Sequence, residues 1–256
     1  MNYKYFINIF KEMRVLVGIY GVKIPKSPGT DYHEVLNRLS EERRNRTLRF
    51  SRKDDRIRSV IAEALIRTLF LREHKVDNES LRFTANRYGK PFLAAYPDYH
   101  YNLSHSGDYV LCAVDQQPIG IDIEEIKPID LTIADRFFSG RENEEIKEIP
   151  EDRRIGYFYQ LWTAKESYIK FRGKGLSMPL NSFSIRIDDN GIELSEKDGC
   201  PLKEPDCYFK AFHLSPQYKV TLCSENPNHP EEIQRIDGLE LFKEFVEVSG
   251  GNYAAR

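Results

Sequence analysis

Two carboxylates lie two residues apart in the sequence IGIDIEEI, which spans residues 119–126. If this segment is a β-strand, Asp122 and Glu124 project from one face while Ile121 and Ile123 fill the other. Two like charges at this separation repel each other by roughly 1 kcal/mol in water, and by more as the site loses water. The pair therefore needs a compensating partner, which could be a cation, a basic side chain or bulk water.

A further acid and several bases follow in the segment YFYQLWTAKESYIKF, whose apolar residues recur at helical spacing. Glu166 and Lys170 lie one turn apart on the flank of the apolar stripe, and the simplest interpretation is an exposed ion pair worth roughly a few tenths of a kcal/mol. Lys165 lies within the apolar arc, so it must either extend to water or meet an anion. The pattern thus concentrates an acid and several bases where a helix meets the glycine-rich turn GKG.

The segment NLSHSGD places a serine beside a histidine at the end of a predicted strand. Ser104 and His105 are adjacent and so point to opposite faces, which makes them poorly placed as nucleophile and base for each other, and no GxSxG motif is present. Small hydroxyls, an imidazole and the N–H groups of a turn suit a phosphate better, although a polar hairpin turn would have the same composition.

Other basic residues could also meet a phosphate. Lys90 lies in RYGKP, a turn at which the backbone can approach a ligand closely, and a lysine at such a turn is ordinarily solvated. Arg43, Arg46 and Arg49 recur every three residues and so share much of one helix face. That face could anchor a phosphate or simply face the solvent.

The first half of the chain is predicted to contain helices followed by strands. A strand begins at Met13 with MRVLVGIYGV, and Ser40 caps a short helix that carries the arginines. A long amphipathic helix is predicted from an N-cap at Ser51 to about His74. The strands HYNLS and YVLCAV follow, and DQQPIG, residues 115–120, forms the junction.

The second half is predicted to follow a similar order. The strand IGIDIEEI precedes a helix near LTIADRFF, a charged loop, the helix described above and the strands FSIRI, YFKAFHL and YKVTLCS. Short similarities, such as YVLCA with VTLCS, leave both an ancient duplication and coincidence open. Because helices and strands do not alternate strictly, an α+β fold is expected rather than a doubly wound parallel sheet.

The overall composition narrows the class of protein. The 256 residues include 38 basic and 40 acidic side chains, so the net charge of −2 provides no global field for nucleic acid or an anionic membrane. The four cysteines lack the spacing of a zinc site or a disulfide framework, and no apolar run reaches the roughly 18 to 20 residues that cross a bilayer. The first residues lack the pattern of a signal peptide. We therefore expect a cytoplasmic protein that binds neither nucleic acid nor membrane.

Five segments together resemble the signature blocks of the 4′-phosphopantetheinyl transferases, in particular the surfactin-synthetase-activating type. They are YGKP, NLSHSGDYVLCAV, PIGIDIEEIKPI, RFFSGRE and YFYQLWTAKESYIKFRGKGLSMPL. The pairing of GIDIE with WxxKES(Y/F)xK some forty residues later is specific to that family. The resemblance extends from about residue 13 to near residue 240.

The resemblance implies a role for individual residues. The acids of GIDIE and KES correspond to ligands of Mg²⁺, or of Mn²⁺ in its place, and the bases and hydroxyls correspond to contacts with coenzyme A (CoA). The implied metal ligands are Asp122, Glu124 and Glu166, the implied CoA contacts are Arg43, Arg46, Ser59, Lys90, Ser104, His105 and Lys170, and the implied catalytic pair is Glu166 with Lys170. The resemblance leaves the role of Glu142 in SGRE open.

The family resemblance also implies an activity and an architecture. Such an enzyme transfers the 4′-phosphopantetheine arm of CoA to a serine of an apo acyl or peptidyl carrier protein and releases adenosine 3′,5′-bisphosphate. Its carriers belong to nonribosomal peptide, polyketide or fatty acid synthases. The implied fold is a monomer of two similar subdomains, 13–117 and 118–240, related by a pseudo-twofold with the active site in the cleft between them; residues 1–12 would be an extension and 241–256 a tail.

Two other functions remain compatible with the same residues. A Mg²⁺-dependent phosphohydrolase could use the carboxylates to activate water and would need no carrier protein. A CoA-binding or carrier-binding module without transfer activity would retain the basic residues. Joint retention of Asp122, Glu124, Glu166 and Lys170 argues against a module that has lost its activity, and it leaves the phosphohydrolase open.

Overall fold

The computed structural model describes residues 17–29, 31–196 and 207–250. Its helices are α1 (Asp31–Arg38), α2 (Glu41–Leu48), α3 (Lys53–His74), α4 (Ala134–Phe137), α5 (Gly140–Glu148), α6 (Glu151–Arg172) and α7 (Gly238–Ser249). Its strands are β1 (Gly18–Lys23), β2 (Phe83–Ala85), β3 (Pro91–Leu93), β4 (His100–Ser106), β5 (Tyr109–Asp115), β6 (Ile119–Glu125), β7 (Phe183–Asp188), β8 (Gly191–Glu196), β9 (Tyr208–Phe212), β10 (Tyr218–Ser224) and β11 (Gln234–Asp237). The predicted mixture of helices and strands is confirmed.

Two helix N-caps were predicted in the first half of the chain, and the structure confirms one of them. Ser40 accepts a hydrogen bond from the backbone N–H of Arg43 at 3.2 Å, as expected for the N-cap of α2. The predicted N-cap at Ser51 is wrong, because α3 begins at Lys53 and its N-cap residue, Arg52, makes no side-chain capping bond. The predicted end at His74 is confirmed.

The charged loop predicted between LTIADRFF and α6 is largely helical. Ser139 accepts from the backbone N–H of Glu142, and the Glu142 carboxylate accepts from that of Ser139, which forms a capping box at the start of α5. α6 then begins at Glu151, six residues before the predicted segment. The S-x-x-E signature was present in the sequence, but its apolar stripe is short and its surroundings are highly charged.

Two sheets carry most of the predicted strands, and the predicted strand FSIRI is β7 of a separate hairpin. The first has the order β11-β1-β5-β4, in which β1 pairs antiparallel with β5 and parallel with β11. The second is antiparallel with the order β6-β10-β9. Two small hairpins, β2-β3 and β7-β8, complete the pairing in the described residues.

Three apolar clusters hold these layers together. α3 packs with α1, α7 and the first sheet, and α6 packs with α4, α5 and β7. The third cluster joins the two sheets and includes Ile19, Leu111, Ile121, Ile123 and Leu222, each completely buried. The apolar face of β6 is thus fixed against the first sheet, which leaves the opposite face of the strand to α6.

The expectation that residues 241–256 form a tail is wrong for residues 241–249. They lie in α7, and Leu241, Phe242 and Phe245 are completely buried against the first half of the chain. These apolar side chains recur at three- and four-residue spacing, so the segment forms an amphipathic helix once a core is available. Residues 1–12, the first four positions of the strand predicted from Met13, and residues 251–256 lie outside the described residues.

None of the helices in the described ranges combines the length and the apolar character that a bilayer span requires.

Candidate active site

Strand β6 presents its two acids to one side, as the alternation in the sequence predicted. Asp122 lies opposite Thr221 of β10 and Glu124 lies opposite Lys219, while Ile121 and Ile123 fill the third cluster. Glu125 has the opposite strand phase, and its carboxylate lies 2.7 Å from the ammonium of Lys127. The strand therefore separates Glu124 from its neighbour by geometry alone.

Helix α6 brings a base to these acids. Lys170 Nζ donates to Asp122 Oδ1 at 2.6 Å, to Ser104 Oγ at 2.9 Å and to the backbone oxygen of Ile121 at 3.2 Å. The ion pair of Lys170 with Asp122 thus crosses from helix to strand, in contrast to the exposed pair with Glu166 that helical spacing would give. Lys170 supplies one of the three compensating partners considered for the paired carboxylates.

Strand β4 supplies hydroxyls on the other side of the acids. Ser104 Oγ donates to Asp122 Oδ1 at 2.9 Å, and Ser106 Oγ donates to Glu124 Oε2 at 2.8 Å. Sequence reasoning singled out Ser104 but missed Ser106, although the alternation of SHS puts both serines on one strand face. The carboxylates of Asp122 and Glu124 therefore each have their own serine on β4.

His105 has the opposite strand phase from the serines and remains exposed, yet it borders the same cavity. Partial burial, and then the positive charges of Arg58 and Lys170, lower the pKa of His105 below its ordinary value. A neutral imidazole beside these cations acts as a hydrogen-bond donor or acceptor without adding further positive charge.

A cavity of about 320 Å³ collects most of the predicted site. It is lined by Leu103, Ser104, His105, Asp122, Glu124, Trp162, Glu166 and Lys170. Six of these residues were predicted from the sequence, and they come from β4, β6 and α6. The structure therefore assembles the three carboxylates, the base, the hydroxyl and the imidazole around one space.

A larger cavity of about 850 Å³ contains the predicted arginines. Arg43 and Arg46 line it, and Leu103 lines both cavities. Arg43 also donates to the backbone oxygen of Ser59 at 3.2 Å, and its Nε lies 3.5 Å from the Glu63 carboxylate. The Ser59 hydroxyl is buried and shares a 3.0 Å hydrogen bond with that of Thr47.

Lys90 joins the two halves of the chain. Its Nζ donates to the backbone oxygens of Ile119 at 3.0 Å and Phe171 at 3.3 Å, so it meets the start of β6 and the end of α6. Burial lowers the pKa of Lys90 to about 8. Its neighbours Gly89 and Pro91 line the larger cavity.

Glu142, whose role the sequence left open, lies away from the lining of both cavities. Its Oε1 accepts from Lys165 Nζ at 2.5 Å and from the backbone N–H of Ile185 at 2.7 Å, and both charged side chains are completely buried. Lys165 also donates to the backbone oxygen of Phe183 at 2.7 Å. Of the two alternatives for Lys165, the structure shows the buried anion, and Glu142 is that anion.

The carboxylates of the smaller cavity have the chemistry of a site for a hard cation. Burial, and then the charge of Asp122, raise the pKa of Glu166, and burial is also the main cause of the raised pKa of Glu124. Asp122 is 4% exposed, and its Oδ2 has no hydrogen-bond partner among the residues that the structure describes. An uncompensated buried carboxylate oxygen is costly unless a ligand meets it.

Within the described ranges, no group of three or more His, Cys, Asp or Glu side chains forms a ready coordination set. Mg²⁺ does not require one, because it is usually held by one or two carboxylates, several waters and the phosphates of a substrate. Asp122, Glu124 and Glu166 provide oxygen ligands of this kind, so the residues present fit such an ion.

Two family models match the chain. A family model described as 4′-phosphopantetheinyl transferase superfamily matches residues 118–223, and one described as 4′-phosphopantetheinyl transferase, N-terminal, matches residues 26–117. Together the two matches cover most of the chain. The chain therefore belongs to the 4′-phosphopantetheinyl transferases, a family of enzymes.

Individual relatives narrow the type to that of Sfp and gsp. The chain is 41% identical to 4′-phosphopantetheinyl transferase Sfp of Bacillus subtilis (strain 168), over 87% of this chain and 99% of Sfp. It is 35% identical to 4′-phosphopantetheinyl transferase gsp of Aneurinibacillus migulanus, over 79% and 84% of the two chains. A solved holo-(acyl-carrier-protein) synthase of Bacillus anthracis in complex with CoA (3′,5′-ADP) is 24% identical, with a TM-score of 0.36 over 42% of this chain and 93% of that one.

Proposed function

We propose that the protein transfers the 4′-phosphopantetheine arm of CoA to a serine hydroxyl of apo acyl or peptidyl carrier domains, in a reaction that depends on Mg²⁺. The carrier serine attacks the β-phosphorus, which bears the arm, and adenosine 3′,5′-bisphosphate leaves. The observation that carries the proposal is the convergence of Asp122, Glu124, Glu166 and Lys170 on one cavity in a chain of this family.

The three carboxylates are proposed to hold Mg²⁺, or Mn²⁺ in its place. When bound, the cation would supply positive charge that offsets the charge developing on the phosphate oxygens during transfer. Asp122 Oδ2, which has no hydrogen-bond partner in the described part of the chain, supports this assignment, since that buried oxygen requires a positive or hydrogen-bonding neighbour.

The bases and hydroxyls are proposed to bind the phosphates of CoA. Lys170, Ser104 and His105 border the smaller cavity, where the pyrophosphate would lie, and Arg43 and Arg46 border the larger cavity, where the 3′-phosphate would lie. Leu103 is common to both linings, so a single ligand could occupy both spaces.

The remaining two predicted contacts do not meet the ligand in the same way. Ser59 would act through Arg43, whose guanidinium donates to the backbone oxygen of Ser59. Lys90 would have to exchange the oxygens of Ile119 and Phe171 for a phosphate.

Glu166 is proposed as the general base. Burial raises its pKa above the usual value, which makes its carboxylate a better acceptor for the proton of the attacking serine, directly or through water. Lys170 would stabilise or protonate the departing phosphate. The Glu166→Gln variant should fold normally and lose transfer, and near-normal turnover would remove Glu166 from the mechanism.

The two halves are proposed to be similar subdomains related by a pseudo-twofold, with CoA in the cleft between them. In support, each half packs a 22-residue helix against its sheet: α3 against β5 and β4, and α6 against β6 and β10. A monomer of this kind would contain the whole site in one chain. We propose a cytoplasmic location, where CoA and the carrier domains of nonribosomal peptide, polyketide or fatty acid synthases are available.

The carrier is proposed to dock beside the smaller cavity, on residues 127–154 and the GKG turn that follows α6. Arg141 and Lys174 are exposed there, which suits steering of an acidic partner. The Arg141→Glu variant should raise the KM for the carrier more than the KM for CoA. Equal effects on both values would contradict docking at this surface.

One gel experiment separates the three functions that the sequence left open. The protein is incubated with Mg²⁺, CoA that carries a fluorophore on its pantetheine arm, and an apo carrier domain. A labelled carrier supports the transferase, a free fluorescent phosphopantetheine supports a phosphohydrolase, and unchanged CoA supports a binding module. Carrier with its acceptor serine replaced by alanine is the control that must remain unlabelled.

A further inference from the structure

The contact between β4 and β6 has an unusual composition. Three alternating side chains of β4 accept hydrogen bonds from three alternating backbone N–H groups of β6, each pair 19 residues apart in sequence. The bonds run from Ile121 N to Asn102 Oδ1 at 2.8 Å, from Ile123 N to Ser104 Oγ at 3.3 Å, and from Glu125 N to Ser106 Oγ at 3.0 Å. Side chains of the first sheet thus take the place of a neighbouring strand at this edge of β6.

Lysines satisfy carbonyl oxygens along the same edge. Lys90 donates to Ile119 O and Lys170 donates to Ile121 O. The other edge of β6 pairs with β10 in the ordinary way. Among the described residues, the hydrogen bonds along this edge of β6 come from side chains, and two of these side chains, Ser104 and Ser106, also bond the acids.

The hydroxyl of Ser106 is held in one orientation by two hydrogen bonds, one that it accepts and one that it donates. A serine hydroxyl has one hydrogen to donate, and its oxygen already accepts from Glu125 N. Its hydrogen is therefore free for the Glu124 carboxylate, whose Oε2 it meets at 2.8 Å. The backbone of one residue thus fixes the hydroxyl that orients the carboxylate of the residue before it.

We propose that Ser106 is a positioning residue, which orients Glu124 so that its carboxylate binds the divalent cation; this inference rests on the proposed function. Ser106 does not line the cavity around the acids, so its effect passes through Glu124. Hydrogen-bond partners of metal ligands typically contribute roughly 10- to 100-fold to metal affinity, because they fix the ligand in its binding orientation.

The test measures Mn²⁺ binding by electron paramagnetic resonance of the free ion, with the full chain and MnCl₂ alone. The variants are Ser106→Ala, Ser106→Thr, Glu124→Gln and the double variant Ser106→Ala/Glu124→Gln. Ser80→Ala is the matched control, because that exposed hydroxyl bonds the backbone oxygen of Asp77 and, among the described residues, contacts neither cavity. The urea midpoint of each variant reports any loss of stability, and the Mg²⁺ concentration for half-maximal transfer gives a second measure.

We expect Ser106→Ala to raise the Kd for Mn²⁺ roughly 10-fold or more, Ser106→Thr to restore it, and Ser80→Ala to leave it unchanged. In the Glu124→Gln background the alanine should add less than about twofold, because the residue through which Ser106 acts has lost its charge. An unchanged Kd in Ser106→Ala, or the same factor in both backgrounds, overturns the inference. Wild-type protein that binds no Mn²⁺ overturns the proposed cation site itself.

Discussion

At the scale of single residues, Glu124 and Glu125 are adjacent in sequence but differ in surroundings. Glu124 borders the cavity and accepts from Ser106, whereas Glu125 pairs with the exposed Lys127. We expect Glu124→Gln to reduce the rate of transfer by more than the roughly 10- to 100-fold that loss of an indirect metal contact costs, and Glu125→Gln to reduce it less than about threefold. The measurement is the rate of transfer at saturating CoA and at the Mg²⁺ concentration that gives half-maximal transfer in the wild type. Equal losses in the two variants would mean that strand phase does not select the acid.

A second residue-scale prediction concerns the buried pair of Lys165 and Glu142. Both side chains are completely buried, so removal of one charge leaves the other without compensation. We expect Lys165→Met to lower the free energy of unfolding by about 3–5 kcal/mol, measured by urea denaturation. The double variant Lys165→Met/Glu142→Gln should recover part of that loss, because the remaining group is neutral and still accepts from Ile185 N. A double variant less stable than Lys165→Met would contradict this role of the pair.

At the scale of elements, α6 and β6 are in close contact at Gly120. A methyl group on Gly120 would overlap the backbone oxygen of Ser167 and the backbone nitrogen of Phe171, which are parts of the helix and not side chains that could move aside. Glycine is therefore required where the strand of the acids crosses the helix of Glu166 and Lys170. Displacement of either element would separate the carboxylates from the base.

We expect Gly120→Ala to lower the free energy of unfolding by about 3 kcal/mol or more and to raise the Mg²⁺ concentration for half-maximal transfer. Gly156→Ala is the matched control in the interior of α6, where an added methyl would meet nothing within 4 Å. That variant should increase stability by about 0.5–1 kcal/mol, since alanine is the better helix former. Thermal and urea denaturation test both values, and a neutral Gly120→Ala would show that the helix can shift without cost.

Local patterns explain which elements could be predicted and which could not. The alternation in IGIDIEEI and the helical spacing around WTAKES are periodic, so they predicted β6, α6 and the shared strand face of Asp122 and Glu124, whereas the roles of the other site residues were implied by the family resemblance. The bond from Ser106 to Glu124 joins two strands that do not pair through their backbones, and no period in the sequence records it. The partner of Lys165 likewise depends on how α5 packs against α6. The start of the short, charged helix α5 could be predicted only from its capping box, Ser139 with Glu142.

At the scale of the whole molecule, the first and the last elements of the described residues lie in the same layer. β11 pairs with β1, and α7 packs against α3 and α1. The segment after the second sheet therefore completes the apolar cluster around α3, which is the first core of the protein. The chain passes from the first sheet to the second between β5 and β6, and it returns to the first sheet between β10 and β11. Neither half can therefore be removed without exposing apolar surface of the other, and the boundary between residues 117 and 118 is not a boundary between independent cores.

This path predicts that the two halves unfold together. Phe242 of α7 is completely buried in the first core, and Phe242→Ala should cost about 3–5 kcal/mol. Trp162, the single tryptophan, lies on α6 and packs against the second core, which is the apolar cluster around α6. Its fluorescence therefore reports unfolding of the half of the chain that the substitution does not touch. We expect the urea midpoints from Trp162 fluorescence and from far-ultraviolet circular dichroism to fall by the same amount in Phe242→Ala, because one cooperative transition includes both cores.

The control is Leu239→Ala, on the exposed side of the same helix. It should change the free energy of unfolding by no more than about 1 kcal/mol by either measurement. A fluorescence midpoint that stays at the wild-type value while the circular dichroism shifts would mean that the second half, with Glu166 and Lys170, keeps its fold without the first.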